Sequence, residues 1–456
     1  MKKLNIYLIL LSFSLITSSC EKFLDLQPID SPTETNFYVD EKGLQGGLTA
    51  CYDAFQQTGI YGANLCALGE VRGDNVMDNN PGGNAGVTYQ IETFSEKPDN
   101  TLVQSTWLAI YNAIYRSNIV IQKASGVGMD ETRKKQIVGQ AQFLRALSYF
   151  NLVRIWGKAP LVLTTQSSEE ARKNKRNEIT DIYKQIEADL NAAIGSLPAS
   201  WPDAERGKAT SYASSALLAK VYLYQKKYSQ AATILQQIVT VINDGKTLSL
   251  VPQTTTFPNG MKTSKDIIFS IQYLSGGIGE SVSQNNRYRN QDNGNMITLP
   301  QTLFEAGDNR KALLAPTGNG ARPGKFDGPQ VNNETSIDMP VLRCAEVMLM
   351  YAEALNESAT FPSADAFAAI NAVRKNAGIS EINSTSVTTK TDFTTALMKE
   401  RRLELALECD RWFDIARTGQ MSTIFPLVPA NKLLYPIPQT EIDNMTDKTD
   451  WQNTGY

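Results

Sequence analysis

The 456-residue chain contains no histidine. Its absence excludes Ser-His-Asp and Cys-His nucleophile systems, histidine metal ligands and histidine general bases, and with them most hydrolase designs. A glycosidase that uses two carboxylates remains compatible with the composition, because it needs only Asp and Glu. The missing residue type therefore favours binding proteins over enzymes.

Cysteine is also scarce, with five residues in the chain. Apart from Cys20 these are Cys51, Cys66, Cys344 and Cys409, and they include no CxxC pair, so zinc and thioredoxin-type sites are excluded. An exported protein could form disulfides, and Cys51 with Cys66 is the only closely spaced pair. We predict no metal site and no cofactor.

Excess charge of either sign is absent as well. The 44 Lys and Arg nearly balance the 47 Asp and Glu, leaving a net charge of -3. Nucleic-acid binders usually carry a basic stripe, whereas the densest basic stretch here, "ARKNKRNE" at 171–178, is short and precedes a helical pattern. We interpret it as a solvated loop and predict no nucleic-acid partner.

The N-terminus has the layout of an export signal. Lys2 and Lys3 precede an apolar run at 6–16, and small polar residues lead to Cys20. The run is about half of the ~20 residues that a membrane-spanning helix needs. We predict a lipoprotein signal peptide at 1–19, lipidation of Cys20 and a single mature domain at 20–456. An ordinary signal peptide followed by an incidental cysteine is the alternative.

From residue 101 onward the periodicity is mainly helical. Long helices are predicted at 101–124, 141–160 and 179–198, and the second is apolar nearly all round, which is typical of a buried helix. One short strand is predicted at 266–273.

The stretch at 214–239 contains small and aromatic residues at the spacing of a tetratricopeptide helix pair, and 345–378 is a looser copy. The pattern predicts a mostly α-helical superhelix built on tetratricopeptide-type pairs, with long irregular loops and a few short strands. Unrelated antiparallel helices would show similar periodicity.

Seven segments, in the same order, resemble the SusD/RagB family of outer-membrane lipoproteins of Bacteroidetes. They are "CEKFLDLQP", "LRALSYFNLVRIWGKAPLV", "ALLAKVYLYQKKYSQA", "LRCAEVMLMYAEALNE", "INAVRKNAG", "ERRLELALECDRWFDIARTG" and the ending "LLYPIPQTEIDN...QNTGY". The resemblance implies a lipid-anchored protein of the outer membrane, facing the exterior, that captures glycans or other nutrients. It also implies a SusC-type TonB-dependent transporter as partner. Cys409 departs from the family, which usually has Gly there.

The segment "ERRLELALECDRWFD" concentrates charge. On one helix, Arg401, Glu404, Glu408 and Arg411 would form a single stripe of alternating sign. Glu404 and Glu408 could be the acid and base of a glycosidase, or members of a structural ion-pair ladder. We favour the ladder, because nearby arginines keep carboxylates ionised whereas a catalytic acid needs a raised pKa.

The tryptophans also divide by context. Trp107, Trp156 and Trp412 lie in helical apolar patterns and are predicted to be core residues. Trp451 belongs to the family-like ending. Trp201 lies in the polar loop "LPASWPDAERG" and fits no such pattern.

The resemblance implies that loops around the helices form the ligand surface. The matching stretches are "GEVRGDNVMDNN" with the tyrosine that follows it, and "SQNNRYRNQ". Polar groups there would bond sugar hydroxyls, and aromatic rings would offer a face to the sugar. The candidate ligand-binding residues are Arg72, Asp74, Asn75, Tyr89, Asn286, Arg287 and Tyr288.

Three functions are compatible with these patterns. The first is a non-enzymatic surface protein that binds a glycan and delivers it to the transporter. The alternatives are a carboxylate-dependent glycoside hydrolase and a tetratricopeptide adaptor that binds peptides. Which glycan or other nutrient is bound does not follow from the sequence.

Overall fold

The computed structural model describes residues 37–78, 80–276, 295–315, 324–328, 330–331 and 334–456. The signal peptide, Cys20 and the candidates Asn286, Arg287 and Tyr288 lie outside these residues. Lipidation and the ligand role of these three side chains therefore stay predictions.

The described chain is mostly helical, and eleven of its helices are labelled here. In chain order they are α1 (Glu41–Gln56), α2 (Val87–Glu92), α3 (Thr101–Lys123), α4 (Glu131–Trp156), α5 (Ile179–Ser196), α6 (Ser211–Tyr224), α7 (Tyr228–Asp244), α8 (Cys344–Ser358), α9 (Ala364–Asn376), α10 (Lys390–Glu404) and α11 (Arg411–Arg417). Further helical segments include Thr58–Gly62, Asn64–Cys66, Ala67–Val71, Ser168–Ala171, Gln253–Thr256, Lys311–Leu314, Met421–Ile424 and Gln439–Asn444.

The helices pack in sequential order, α3 on α4, α4 on α5 and so on through α9. The predicted pairs are α6 with α7 and α8 with α9, and α7 packs against α8 between them. The mostly helical fold and the predicted helix pairs are thus confirmed. Because each pair buries its apolar face against the next, the core runs along the whole stack.

Helix α4 is at the centre of this stack. Asp130 caps its N-terminus by accepting a hydrogen bond from the amide of Arg133 at 2.9 Å. From residue 139 to 156 nearly every side chain is buried, as the all-round apolar pattern predicts. Gly157 ends the helix at φ 72°, a conformation that side chains disfavour.

The strands of the described chain are short: β1 (Val76–Asp78), β2 (Ile267–Ile271), β3 (Asn295–Ile297), β4 (Gln330–Val331), β5 (Glu334–Thr335) and β6 (Met339–Arg343). They form three antiparallel pairs, β1 with β3, β2 with β6 and β4 with β5. The second pair contains the strand predicted from the sequence.

The periodicity of the charged segment at 401–411 suggested one helix, and this prediction is wrong. Helix α10 ends at Glu404, Leu407 and Cys409 have φ of 68° and 66°, and α11 begins at Arg411. Two residues in the left-handed region cannot continue a right-handed helix. The positive φ at Cys409 also explains why glycine would suit this position.

The disulfide joins Cys66 to Cys409, so the pairing of Cys51 with Cys66, which the sequence left open, does not form. Cys51 is a buried free thiol inside α1. The bond links the helical turn before β1 to the turn between α10 and α11, 343 residues further along the chain. Close packing brings the two segments together, since a Cβ on Gly69 would lie 2.0 Å from the carbonyl oxygen of Cys409.

The basic stretch is only partly the solvated loop that its composition suggested. Arg176 donates to the carbonyl oxygens of Asp450 at 3.1 Å and Trp451 at 3.0 Å, which ties the C-terminal tail to this loop. The tryptophan predictions are confirmed, because Trp107, Trp156 and Trp412 are almost completely buried.

Candidate functional site

Strand β1 directly follows Asp74 and Asn75, two of the residues predicted to bind ligand, and it pairs with β3. Asp78 is opposite Asn295 in this pair. The short helix α2, with Tyr89, packs against β1. We call the surface formed by β1, β3 and α2 the β1–β3 surface.

Arg72 lies beneath this surface and not on it. Its guanidinium is completely buried, pairs with Glu96 at 2.9 Å, and has its central carbon 4.1 Å from the ring centre of Tyr435 and 4.5 Å from that of Phe94. Such a group holds together the chain segments that supply these partners. Its burial speaks against the predicted ligand role.

Asp74 and Asn75 are engaged by two arginines of the 401–411 segment. Asp74 accepts from Arg411 at 2.6 Å and pairs with Arg402 at 2.9 Å. Asn75 is fully buried and accepts from Arg402 at 2.8 Å. Asn75 therefore has no free surface for a ligand, and Asp74 has its charge already compensated.

Glu70 connects the same two segments from below. Its carboxylate accepts from the backbone amide of Asp410 at 3.2 Å and contacts the amide nitrogen of Asn75 at 3.5 Å. Burial raises the pKa of Glu70 to about 7, because the carboxylate loses its hydration. Together with the nearby disulfide, these contacts tie the segment before β1 to the turn between α10 and α11.

Among the predicted residues that the structure describes, Tyr89 is the one exposed to solvent, with 38% of its surface accessible. Asn100 positions the helix that carries it. The Asn100 side chain accepts from the first turn of α3 and donates to the carbonyl oxygen of Val87 at 3.0 Å and to Gln90 at 2.9 Å. Glu92 fixes the other end by accepting from the amide of Asp78 at 2.6 Å.

Burial, and then the nearby charge of Asp78, raises the pKa of Glu92. Sequence reasoning missed Asn100 and Glu92 as supports of this surface. An Asn before a long apolar-periodic helix is an N-cap signal that could have identified the first. No local signal identifies the second, because its partner lies on a separate strand.

The carboxylates proposed for catalysis belong to a buried ion-pair network. Glu404 pairs with Arg343 at 3.1 Å and Arg310 at 3.2 Å, and Glu408 with Arg343 at 2.7 Å and Lys325 at 2.6 Å. Burial alone would raise the pKa of Glu404, but the arginines outweigh it and hold the pKa below its usual value. Both carboxylates are thus paired with cations, which fits a structural role over a catalytic one. The cations come from other chain segments, however, and not from Arg401 and Arg411, so the predicted ladder itself is wrong.

In the described part of the chain, no three acidic, cysteine or histidine side chains are grouped as metal ligands would be. The helices described there also include none with the length and apolar character to cross a membrane. The absence of metal and cofactor in the function stays a prediction.

The fold and the β1–β3 surface together define a helical binding protein, in which the short helix α2 presents an exposed aromatic ring beside a stack of tetratricopeptide-type helix pairs. The chain belongs to the SusD/RagB family. A family model described as starch-binding and associating with the outer membrane matches residues 22–223, and the SusD family model matches residues 319–428.

Relatives extend the likeness to nearly the full chain. SusD-like protein P2 of Formosa agariphila is 26% identical over 97% of both chains. A SusD-like protein of Bacteroides ovatus is 23% identical over 94% of this chain and 84% of its own. A solved laminarin-binding SusD-like protein superimposes with a TM-score of 0.77 at 26% identity, covering 92% of this chain and all of the other. Surface glycan-binding protein A of Bacteroides thetaiotaomicron, at 20% identity and TM-score 0.75 over 92% of this chain and all of the other, shares the fold.

Proposed function

We propose that this protein is a non-enzymatic surface lipoprotein that binds a glycan and delivers it to a SusC-type TonB-dependent transporter. The exposed ring of Tyr89, on the short helix α2 that Asn100 and Glu92 hold in place, carries the proposal. Sugar rings present apolar C–H faces that stack on such rings, and their hydroxyls bond neighbouring amide and hydroxyl groups. The likeness to a laminarin-binding protein supports a glycan as ligand.

Binding without hydrolysis fits the state of the acidic residues. The two carboxylates best spaced for catalysis are paired with buried cations, and a glycosidase needs one carboxylic acid that is protonated at working pH. A glycan would therefore leave the protein with its chain length unchanged.

Anchoring and delivery rest on the family resemblance. Lipid chains on Cys20 would hold the protein stably at the outer membrane. The transporter would then receive a glycan concentrated at the cell surface.

The glycan-binding proposal is tested by measuring retention on immobilised laminarin, starch, xylan, mannan and host-type glycans. An aromatic stacking contact is worth about 1–2 kcal/mol, so Tyr89→Ala should weaken binding of the retained glycan about five- to thirtyfold. Tyr115→Ala is the matched control, because Tyr115 is 46% exposed on α3 outside the β1–β3 surface. Equal affinity of Tyr89→Ala and the parent would rule out this surface, and new reducing ends would indicate a hydrolase.

A further inference from the structure

Two adjoining cavities lie between α1, the loop joining α5 to α6, and β2. Their volumes are about 250 Å³ and about 140 Å³. They share a wall formed by residues 206–208 together with Ser270 and Gln272. Neither cavity includes a residue of the β1–β3 surface, so they form a separate feature of the molecule.

Every charged side chain that lines the two cavities has an ion-pair partner. Of the four charged side chains that line the cavities, Glu205, Arg206 and Lys208 belong to the loop and Lys262 to the opposite wall. The nitrogen–oxygen distances of their ion pairs are 2.6 to 2.8 Å. The pairs are Arg206 with Asp203, Lys208 with Glu205, and Lys262 with Asp338. Because the charges cancel locally, the lining favours an uncharged ligand over an anionic or cationic one.

Uncharged polar groups remain available for a ligand. Among the described residues, the Gln272 amide group and the Tyr212 hydroxyl have no hydrogen-bond partner, and both line the second cavity. Gln56 donates to the backbone carbonyl of Gln272 at 2.7 Å, which fixes that backbone. Amide and hydroxyl groups of this kind bond the hydroxyls of a sugar.

Each cavity also has an aromatic wall. Tyr52 lines the first, and its hydroxyl donates to Gln140 at 2.9 Å, so the ring is held in place. Trp201 lines the second, and its indole donates to the carbonyl oxygen of Ala209 at 2.8 Å. Trp201 is only partly buried, unlike the other four tryptophans. An aromatic ring beside free polar groups in both cavities is the chemistry that sugars need.

Gly207 permits the two cavities to adjoin. Its φ is 103°, and a Cβ at this position would lie 2.4 Å from the side-chain carbonyl carbon of Gln272. Only glycine therefore allows the Gln272 amide to lie at the junction, where it could contact a ligand that extends through both cavities.

We propose that the two cavities form a second glycan-binding groove, for a neutral oligosaccharide with one sugar ring in each cavity. Each cavity is smaller than the roughly 300–1,000 Å³ of a typical small-molecule pocket, which matches a single ring, and their contact matches a linked chain. The inference rests on the proposed function in taking a sugar as ligand, but it uses none of the residues that carry that function.

Trp201 provides a readout specific to this groove. The other four tryptophans are at most 2% exposed, so acrylamide quenching of tryptophan fluorescence reports mainly on Trp201. The full chain is titrated with laminarihexaose, maltohexaose, cellohexaose, xylohexaose and mannohexaose, and with an anionic alginate hexasaccharide. We expect at least one neutral oligosaccharide, and not the alginate, to reduce the quenching, and Trp201→Phe to abolish that change.

Two variants test the contacts themselves. Tyr212→Phe removes one hydroxyl and keeps the ring, and Gln272→Ala removes the amide, and each should weaken the protection of Trp201 about fivefold. Tyr89→Ala should weaken glycan retention by the β1–β3 surface and leave the protection of Trp201 in place.

Contrary outcomes are distinguishable. If glycan columns retain the protein while no neutral oligosaccharide protects Trp201 at millimolar concentration, the groove is refuted and the proposed function stands. Loss of the protection in Tyr89→Ala would assign the signal to the β1–β3 surface and overturn the inference. Parent-like protection in both Tyr212→Phe and Gln272→Ala would also overturn it.

Discussion

Breaking the disulfide between Cys66 and Cys409 should destabilise the protein by several kcal/mol, about 2–6 kcal/mol. The bond joins residues 343 positions apart. In the chain-entropy model, closing a loop of this length removes about 6 kcal/mol of unfolded-state entropy, while measured disulfides typically contribute about 2–4 kcal/mol. We therefore expect Cys66→Ser to lower the free energy of unfolding by about 2–6 kcal/mol.

Glycine at position 409 separates the lost bond from the backbone conformation. Cys409 has φ of 66°, which costs a side-chain-bearing residue roughly 1–2 kcal/mol and costs glycine almost nothing. Cys409→Gly should therefore be less destabilised than Cys66→Ser by about 1 kcal/mol, although both variants lack the bond.

The assay is urea unfolding followed by tryptophan fluorescence, with and without dithiothreitol. The reductant should lower the midpoint of the parent and leave the Cys66→Ser/Cys409→Gly double variant unchanged. Peptide mapping under non-reducing conditions should recover the fragment that joins Cys66 to Cys409. A parent-like midpoint for Cys66→Ser, or a mapped bond from Cys51, would refute the reasoning.

Four further predictions concern the base of the β1–β3 surface and the anchor. Asp74→Ala should lower the free energy of unfolding by about 1–3 kcal/mol, because Arg402 and Arg411 lose a partly buried partner, and a destabilisation within error of zero in urea unfolding would contradict it. Because the pKa of Glu70 is raised, the contribution of this group to the free energy of unfolding is complete below about pH 4.5 and falls by about 3 kcal/mol as pH rises through about 7. Glu70→Gln should therefore flatten this pH dependence in thermal unfolding scans. Cys20→Ala should release the protein from the membrane fraction, and an unmodified N-terminus by mass spectrometry would contradict lipidation. Pull-down in mild detergent should recover a TonB-dependent transporter, and repeated failure would count against the proposed delivery.

The helical scaffold was predictable because its signals are local. Helix α3 is predicted at 101–124 and observed as Thr101–Lys123, since apolar periodicity and an N-cap act within a few turns. For α4 only the end was predicted: Gly157 stops the helix, but the helix begins at Glu131, ten residues before the predicted start. The tetratricopeptide spacing likewise reports on neighbouring helices, which pack together whatever the distant chain does.

The candidate site was less predictable, because its residues were chosen as polar groups in a loop. Polarity does not distinguish a side chain that meets a ligand from one that meets a buried partner. From the sequence, Arg72 was predicted to donate hydrogen bonds to a sugar, whereas in the structure it is a buried ion-pair partner of Glu96. Tyr89 has the same loop context, yet its ring reaches solvent.

By itself the sequence determined the order of the helices and the family resemblance, and it predicts an export signal; all three depend on residues close together in the chain or on motif order. The tertiary structure decided that Cys409 and not Cys51 meets Cys66, and that the 401–411 segment supports the loop before β1. It also decided that Trp201 borders a cavity beside β2. These outcomes depend on contacts between residues tens to hundreds of positions apart, which the packing of the helices creates and no local pattern encodes.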